Sequence, residues 1–559
     1  MRMTRRCFSA LTGLTALSPL PLVARTLTEN SADVVIAGAG LGGCAATLAC
    51  LQHGLSVTLI EPTDWLGGQI SSQGVPPDEH QWIETHGANR SYRQFRTAIR
   101  EYYRQNYRLT AQAHDDQYFN PGQGSVSRLC CEPQVAHTVL QQWFKPHQAS
   151  GRLKILYEKR VVSAETQGDR VQSITAEHTP SGQRSQLTGR YFVDATELGD
   201  LLPLTGTEFI TGAESQAQTG ELHATRQANP DNQQAFTMCF AIDYQPQSDN
   251  TIERPAEYDF WREFVPQLTP AWPGRLLDLS YSNPRTLAPK QLGFDPTGKP
   301  TDGTLNLWNY RRIIDHSQFL PGHFESDVSL INWPQNDFFL GNLVGVSAEQ
   351  AEKSIRRAKQ LSLSLLYWLQ TEVPRADGLG QGYPGLRLRA DLMGTQDGLA
   401  KSPYIRESRR IVAQLTITEQ HVGRENRKLL YSGAESESGQ RFNDSVGVGS
   451  YPIDLHPSTT GDNYIDFLTY PFELPLGALL PVRMENLLPA CKNIGTTHLT
   501  SGCYRLHPVE WGIGEAIGHC IGMAVTKGIS PKAIREQPQL LKSLQETMDS
   551  HGVERHWAS

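Results

Sequence analysis

Three glycines and one acid near the N-terminus have the spacing of a nucleotide-binding site. Gly38, Gly40 and Gly43 lie in the run Asp33-Val-Val-Ile-Ala-Gly-Ala-Gly-Leu-Gly-Gly43, and Glu61 follows 23 positions after Gly38. In such a loop the first glycine allows a tight bend, the second lets backbone approach a pyrophosphate, and the third lets helix pack on strand. A carboxylate at the distance of Glu61 accepts hydrogen bonds from ribose and repels a 2′-phosphate. These residues predict an ADP-binding site and argue against NADP.

The elements that must position these residues form a βαβ unit. An apolar run precedes the loop, an alanine-rich stretch follows it, and residues 56–61 form a second apolar run ending in an acid. A phosphate at the loop would lie at the N-terminus of the helix, where unpaired N–H groups and the helix dipole favour an anion. A glycine-rich loop alone is weak evidence, and an ordinary turn is the competing interpretation. The flanking strand, helix and acid favour the binding site.

Length and composition are those of a large globular protein. The chain has 559 residues, enough for two or three domains or for one large discontinuous enzyme. Hydrophobic residues make up 38%, and no interior stretch approaches the roughly 20 apolar residues of a stable membrane span. The net charge of −7 argues against nucleic acid as a partner, because phosphate backbones are bound by clustered Lys and Arg.

The first thirty residues have the layout of an export signal. Basic residues precede a short apolar run, and Thr4-Arg5-Arg6-Cys7-Phe8 resembles the twin-arginine signal, which carries folded proteins. A protein that takes up a nucleotide cofactor in the cytoplasm needs such a route. The pattern therefore predicts the twin-arginine export machinery as a partner and a periplasmic or otherwise exported destination. A disordered tail with incidental arginines is the alternative.

The nine cysteines show neither a CxxC motif nor the spacing of a metal site. The adjacent pair Cys130-Cys131 is the only close spacing, and sequence neighbours rarely form an unstrained disulfide. We expect no metal, and we expect most cysteines to be buried as small hydrophobic residues.

Further along the chain, periodicity predicts a discontinuous α/β fold. A helix with mostly solvated arginines is expected over residues 92–108, and an antiparallel meander over 153–178. A strand within 191–200 can return to close the nucleotide-binding sheet. Pro508 suits the first turn of a helix over 509–526, whose small residues allow close packing.

The predicted fold is a discontinuous Rossmann-like cofactor-binding domain with an inserted mixed α+β substrate domain. In the insertion, strands are expected at 235–244 and 304–313 and a helix at 348–370. The predicted parts are an export signal (1–30), the first part of the cofactor domain (31–207), the inserted domain (208–480), the second part of the cofactor domain (481–530) and a tail (531–559).

Four segments together resemble a known family. They are Gly38–Gly43 with Glu61, the run Leu66-Gly-Gly-Gln69, the run Phe192-Val-Asp-Ala-Thr-Glu-Leu-Gly-Asp200, and residues 486–518. They are similar to FAD-dependent oxidoreductases of the glutathione-reductase-like superfamily, and more narrowly to a bacterial FAD-dependent oxidoreductase family often found with export signals. The two-cysteine motif of disulfide reductases is absent, Gln69 replaces the arginine of amine oxidases, and no second glycine fingerprint for NAD(P) appears.

The resemblance implies FAD as cofactor and a set of residues that hold it. The C-terminal segment would reach the ribityl chain, and the helix beginning at Pro508 would face the pyrimidine edge of the flavin, whose reduced form a helix N-terminus stabilises. The implied cofactor-binding residues are Gly38, Gly40, Leu41, Gly42, Gly43, Glu61, Pro62, Gly67, Gly68, Gln69, Val162, Ala195, Thr196, Lys492, Asn493, Pro508 and Gly512.

Three histidines are candidates for proton transfer near neutral pH. His498 and His507 lie in the segment that resembles the flavin-binding C-terminus, and His456 ends the run Ser450-Tyr-Pro-Ile-Asp-Leu-His456. Arg505 and Glu510 are candidate substrate clamps. A hydrogen-bonded structural histidine is the competing interpretation for each, and structural ion pairing is the expectation for the run Arg406-Glu-Ser-Arg-Arg410.

The predicted function is oxidation of a small molecule, either an alcohol or sugar-like compound or an amine, by hydride transfer to flavin N5. The electrons would pass to oxygen or to another redox carrier. Two alternatives stay open at this point. One is a flavin-dependent hydroxylase, which needs a reductant such as NADPH; the other is a flavin-binding protein without turnover.

Overall fold

The computed structural model describes residues 28–300 and 303–557, with side chains from residue 31 onward. The twin-arginine motif and the apolar run predicted to form the export signal lie outside these residues. None of the helices in these ranges combines the length and the apolar character that crossing a bilayer requires.

Strands are short outside the first third of the chain. In chain order they are β1 (Thr28–Ala37), β2 (Val57–Ile60), β3 (Leu153–Leu156), β4 (Lys159–Gln167), β5 (Arg170–His178), β6 (Arg184–Asp194), β7 (Phe209–Ile210), β8 (Phe236–Thr237), β9 (Phe240–Tyr244), β10 (Ser280–Ser282), β11 (Pro289–Gln291), β12 (Arg312–Ile314), β13 (Val328–Ile331), β14 (Asp337–Phe338), β15 (Leu386–Leu388), β16 (Arg410–Ile411), β17 (Ser445–Gly449), β18 (Ile453–Leu455), β19 (Ile465–Phe467), β20 (Phe472–Pro475) and β21 (Leu487–Pro489).

Long helices are concentrated at the two ends of the chain and in one central position. The α-helices are α1 (Leu41–Gln52), α2 (Arg90–Asn106), α3 (Ala111–Asp115), α4 (Pro133–Ala149), α5 (Leu201–Thr205), α6 (Gln216–Thr219), α7 (Tyr258–Glu263), α8 (Leu307–Tyr310), α9 (Ala348–Thr371), α10 (Ala390–Met393), α11 (Glu419–Val422), α12 (Arg424–Leu430), α13 (His498–Tyr504), α14 (His507–Lys527), α15 (Pro531–Glu536) and α16 (Pro538–His551).

The main sheet has the strand order β3-β2-β1-β6-β5-β4, with β21 also paired to β6. Strand β1 is parallel to both β2 and β6, so Val34 lies between Val57 and Tyr191. The βαβ unit and the returning strand are thus as the sequence predicts. The meander is β4-β5-β6 instead of the whole of 153–178, because β3 pairs parallel with β2 and extends the main sheet.

Helix α14 lies against α1 through small residues. An added Cβ at Gly514 would be 1.9 Å from the carbonyl oxygen of Gly42, and one at Gly518 would be 2.5 Å from the Cβ of Ala49. Both separations are far below van der Waals contact, so only glycine permits this approach. The expected close packing of the 509–526 helix is confirmed, and its partner is the helix that follows the glycine loop.

Helix α2 is present where the sequence predicts a helix, but the expectation of mostly solvated arginines is wrong for two of them. Arg96 and Arg100 are 1% and 3% exposed. The Arg96 guanidinium contacts Glu79 at 2.9 Å and also Glu84, and Arg100 contacts Glu84 at 2.7 Å. These acids lie in the irregular segment before the helix, and their charges allow the arginines to be buried.

A second hydrophobic core forms within residues 235–464. Its four-stranded sheet has the order β12-β13-β9-β15, and the long helix α9 packs on this core. The predicted helix at 348–370 and the strand region at 235–244 are confirmed. The predicted strand at 304–313 is mostly wrong, because α8 occupies residues 307–310 and only β12 is extended.

Candidate functional site

The glycine loop has the shape that its sequence predicts. Gly38 has φ +97°, and an added Cβ there would lie 2.1 Å from the carbonyl oxygen of Ala195. At Gly43 an added Cβ would lie 2.0 Å from the carbonyl oxygen of Gly38. Helix α1 begins at Leu41, and its N-cap, Gly40, offers no side chain to the helix N–H groups. The loop therefore brings the backbone N–H groups of a helix N-terminus to one point of the sheet edge.

Glu61 lies at the end of β2 beside that loop, and its carboxylate is only 5% exposed. One oxygen accepts a hydrogen bond from the Ala39 amide at 3.0 Å, and the other accepts from Thr63 at 2.7 and 2.9 Å. Burial raises the pKa of Glu61 to about 7 despite these donors. The acid is thus held at the loop, where a ribose is expected.

Strand β4 begins beside this acid, because the Lys159 amide donates to the Glu61 carbonyl at 2.9 Å. Val162 follows on the same strand and is half-buried, and Pro62 directly follows the acid. Val162, which the resemblance assigns to cofactor binding, therefore follows closely on the predicted ribose site.

A buried group of charges joins the glycine loop to the C-terminal segment. A Glu510 carboxylate oxygen accepts from the Gly42 amide at 3.1 Å, and its other oxygen accepts from the Gln69 side chain. The Lys492 ammonium forms an ion pair with Glu197. Burial acts to lower the pKa of Lys492, but nearby negative groups, Glu197 and Glu510 among them, raise it overall. Lys492 is therefore a buried cation next to a helix N-terminus, which suits phosphate binding.

The remaining predicted cofactor residues converge on the same place. Gly67 has a left-handed backbone and pairs with Gly40, and Gly68 lies against the Gly40 Cα. The Asn493 side chain donates to the Asp194 carbonyl at 3.0 Å, next to the Ala195-Thr196 turn. Pro508 occupies the first turn of α14, as predicted. Gly512 differs, since an added Cβ there would have one described neighbour within 4 Å, the Asn89 side-chain nitrogen at 4.0 Å, and no contact with the loop.

Two buried side chains fit a bound FAD, one beside the loop and one in the C-terminal segment that carries the family resemblance. In the described ranges, both polar atoms of the Gln73 amide and the Thr496 hydroxyl are buried without a hydrogen-bond partner. The Gln73 amide nitrogen would be 3.8 Å from a Cβ at Gly68. Buried polar groups are costly unless paired, so these atoms match a ligand with both donors and acceptors. Neither residue is among the cofactor-binding residues that the resemblance implies, although Thr496 lies within the segment 486–518 that carries it.

A cavity of about 320 Å³ opens next to this site. Its walls carry aromatic rings and charged groups contributed by segments far apart in the sequence. The lining residues are Asp78, Tyr281, Pro284, Lys290, Leu292, Leu305, Leu307, Tyr310, Arg311, Asn332, Trp333, Pro334, Tyr404, Arg406, Tyr451, Pro452, Asp454, His456, Tyr464, Asp466 and Arg505. Its volume and mixed lining are those of a small-molecule site.

His456 faces this cavity with one ring nitrogen held by an acid. Its Nδ1 lies 2.6 Å from a carboxylate oxygen of Asp337, and its Nε2 lies 3.6 Å from Asp454, beyond hydrogen-bond distance. Burial acts to raise the pKa of Asp337, but Arg406 and His456 outweigh it and lower that pKa. An ionised Asp337 accepts the proton of Nδ1, which leaves Nε2 able to accept a proton from a bound molecule.

The other two histidine candidates lie elsewhere. His507 is fully buried, accepts from the Asp78 amide through Nδ1 and contacts the Val75 carbonyl through Nε2, and burial lowers its pKa to about 4. Both of its nitrogens therefore brace the backbone of residues 75–78. His498 contacts Glu407 at 2.7 Å and lies outside the cavity lining.

The two predicted clamps are divided between the two regions. The Arg505 guanidinium lines the cavity, where it donates to the Tyr404 hydroxyl at 3.0 Å and to the Asp454 carboxylate at 3.2 Å. Glu510 lies at the glycine loop instead. The expected ion pairing of the 406–410 run is also present, since Arg410 contacts Glu407 at 3.0 Å, but Arg406 additionally lines the cavity.

A family model matches residues 33–548 of the chain, and its description is FAD dependent oxidoreductase. No curated protein matches the chain significantly.

Solved structures that match are distant. Sdh1 of Mycobacterium smegmatis in complex with UQ1 is 13% identical, with a TM-score of 0.22, covering 39% of this chain and 42% of that one. The chain thus spans less than half of that protein. A geranylgeranyl bacteriochlorophyll reductase-like protein of Thermoplasma acidophilum is 9% identical, with a TM-score of 0.32 and coverage of 94% and 85%. The anhydrotetracycline hydroxylase OxyS of Streptomyces rimosus is 11% identical, with a TM-score of 0.31 and coverage of 93% and 66%. Scores this low assign no shared activity.

Proposed function

The chain belongs to the FAD-dependent oxidoreductase family and uses FAD, and on that premise we propose that it oxidises a small molecule held in the 320 Å³ cavity. The proposed substrate carries a hydroxyl or amine on the carbon that is oxidised. When bound, FAD supplies the acceptor for the hydride that leaves this carbon.

The residues proposed to hold FAD are those that converge on the glycine loop. The α1 N-terminus and Lys492 would hold the pyrophosphate, and Glu61 would hold the ribose. Gln73 and Thr496 supply buried polar atoms that lack a partner within the described protein. We assign Glu510 to this site as well, because it contacts Gly42 and Gln69.

His456 is the proposed proton acceptor for the substrate. Its Nε2 faces the cavity, and Asp337 holds Nδ1 and stabilises the positive charge that protonation creates. The substrate loses the hydroxyl or amine proton to Nε2 together with the hydride from its carbon, so it leaves as a carbonyl compound or an imine. Oxygen or another redox carrier would then take the electrons from the reduced cofactor.

The observation that carries this proposal is the direct connection between cavity and cofactor site. The Gln69 side chain donates to the Arg505 carbonyl at 2.9 Å, while the Arg505 guanidinium lines the cavity. On the same side, the Asp78 amide donates to His507 at the start of α14, and the Asp78 carboxylate also lines the cavity. A molecule in the cavity therefore lies next to the segment that the family resemblance places around the flavin.

The proposal is tested by anaerobic titration of the purified holoenzyme. A panel of alcohols, sugar-like compounds and amines is added, and bleaching of the flavin absorbance by one of them is the expected result. Bleaching by NADPH alone would instead support a hydroxylase. A flavin that no member of the panel reduces, but that dithionite reduces normally, would identify a binding protein without turnover and overturn the proposal.

We also propose export by the twin-arginine route. Its support is the basic and apolar pattern of the N-terminus, with Arg5 and Arg6 at its centre. Substituting both by lysine should retain the protein, with bound flavin, in the cytoplasm. Unchanged fractionation of this variant and the natural sequence would refute the route, and a tagged Arg2→Lys variant is the matched control.

A further inference from the structure

We propose that the substrate carries a carboxylate and that Arg311 binds it. This inference rests on the proposed function, because it names the chemical class of the molecule held in the same cavity. It is carried by one arginine whose hydrogen bonds are incomplete although its side chain is buried.

Arg311 is 7% exposed and lines the cavity wall. Among the described residues, its single ionic contact is from Nη2 to the Asp78 carboxylate, at 3.3 Å. Within the described protein, its Nε and Nη1 are buried without any hydrogen-bond partner. A guanidinium has five N–H donors, so most of its donor capacity is unused. Leaving a buried charge this poorly paired is costly, and a bound anion would relieve that cost.

The neighbouring arginines show that this state is specific to Arg311. Arg406 uses both terminal nitrogens, which contact the Ala235 carbonyl at 3.0 Å and Asp337 at 3.1 Å. Arg505 likewise uses both of its terminal nitrogens. In each of these two only Nε lacks a partner. Two of the arginines that line the cavity therefore use both terminal nitrogens in contacts with the protein, whereas Arg311 has one terminal nitrogen available to a ligand.

The surroundings of Arg311 favour the binding of a planar anion, such as a carboxylate. Its guanidinium carbon lies over the Tyr310 ring, 5.1 Å from the centroid, and this cation–π contact helps to hold the charged group at the cavity wall. Arginine forms paired, parallel hydrogen bonds with carboxylates in the plane of its guanidinium. Asp78 offers only one contact, so it does not saturate the guanidinium.

The position of Arg311 also suits orientation of a substrate. Its partner Asp78 is bonded through its backbone to His507, at the start of α14, so the Arg311–Asp78 pair lies on the cofactor side of the cavity. A carboxylate held there leaves the rest of the molecule free to reach His456, which lines the same cavity. Arg311 is thus a binding residue for the substrate and not a proton-transfer group.

The test measures binding to the oxidised holoenzyme, independently of turnover. Small 2-hydroxy and 2-amino acids of two to six carbons are titrated against their primary amides, with the flavin absorbance and the fluorescence of Trp333 and other tryptophans as readouts. We expect carboxylates to bind about 100-fold more tightly than their amides, a ratio typical of charged hydrogen bonds in a buried site. Arg311→Gln should abolish this preference.

Two further variants keep the inference falsifiable if Arg311→Gln folds poorly. Asp78→Asn removes the competing anion and should tighten carboxylate binding by about 10-fold, since one ionic contact is released. Lys290→Gln removes a cavity-lining charge of the same sign and should change the carboxylate preference by less than about 3-fold, as expected of a screened charge.

The inference is overturned by any of three results: equal binding of acids and amides, no saturable binding of any acid, or a preference that survives Arg311→Gln. Each of these leaves the proposed function standing if another substrate bleaches the flavin. Absence of bound FAD, or a flavin that no substrate reduces, would instead reject the proposed function itself.

Discussion

The cofactor site and the cavity beside it are built in different ways. The cofactor site consists mainly of backbone from contiguous motifs, with Gly38 and the Ala195 turn so close that only glycine fits. The cavity consists of side chains from many separate segments, among which Arg311 retains unpaired donors. The first region is therefore determined by the close approach of neighbouring backbone segments. The second is determined by charged side chains that come from positions far apart in the sequence.

Gly38→Val should have the largest effect and would test the claim that shape governs the cofactor site. The added Cβ would lie 2.1 Å from the Ala195 carbonyl oxygen, and the backbone has φ +97°. We expect loss of FAD and destabilisation by more than about 3 kcal/mol, as for strain and overpacking together. Urea unfolding and flavin content provide the measurement.

Gly54→Ala is the matched control for this change. Gly54 also has positive φ, but nothing lies within 4 Å of an added Cβ. It should cost only about 1 kcal/mol and should retain FAD. Equal effects of the two substitutions would contradict the role of close packing.

His456→Gln should separate chemistry from cofactor binding. Removing the proton acceptor is expected to slow flavin reduction by roughly 1000-fold, the middle of the range for general bases, with FAD content unchanged. Stopped-flow reduction by the substrate identified above, measured against pH, provides the readout.

His507→Gln is the comparison for that experiment, because both of its ring nitrogens contact backbone. It should lower thermal stability and leave the shape of the pH profile unchanged. A pH profile altered by His507→Gln but not by His456→Gln would reverse the assignment.

Lys492→Met should weaken FAD binding by about 100-fold, since a buried cation at the proposed phosphate site is lost. The dissociation constant is measured by flavin fluorescence on reconstitution of the apoprotein. Lys532→Met is the control, because in the part of the chain that the structure describes Lys532 donates only to the carbonyls of residues 482 and 483. Tighter FAD binding in Lys492→Met would show that the Glu197 pair, and not phosphate, is the role of this lysine.

Substituting Glu61 should give the smallest effect, a change in how the stability of the apoprotein depends on pH. Burial raises the pKa of Glu61 from 4.5 to about 7. Between pH 4.5 and 7, Glu61 is therefore protonated in the folded state but ionised in the unfolded state. The contribution of protonated Glu61 to the free energy of unfolding is complete below pH 4.5, and this contribution is lost as pH rises through about 7.

Glu61→Gln should remove about 2.5 kcal/mol of the stability that is lost between pH 4.5 and 7, because the proton affinities of the folded and unfolded states differ by more than about 100-fold and each tenfold difference corresponds to about 1.4 kcal/mol. Urea unfolding at several pH values measures it. Burial also raises the pKa of Asp194 to about 7. Because Asp194 is unchanged in this variant, its contribution to the pH dependence of stability remains and serves as an internal reference. An unchanged slope in Glu61→Gln would show that Glu61 titrates normally.

The same division explains what could be predicted from sequence. The glycine loop, Glu61 and the Pro508 helix were predicted because each depends on spacing within a short segment. The burial of Arg96 was missed, because its helical spacing resembles that of a solvated face and its partner Glu79 lies outside the helix.

The cavity residues were harder to predict for a related reason. His456 was found because a histidine in a loop suggests proton transfer, but Arg311 and Asp78 have no local signal. They are 233 positions apart in the chain, and their contact is made only in the folded structure. A contact between residues this far apart in the sequence cannot be inferred from the periodicity of a single sequence.

The contact of α14 with α1 has a consequence for biogenesis. The bond between Gly42 and Glu510 joins residues 468 positions apart, so the C-terminal part of the polypeptide must leave the ribosome before the nucleotide pocket has all its walls. Completion of the cofactor pocket is then a post-translational event.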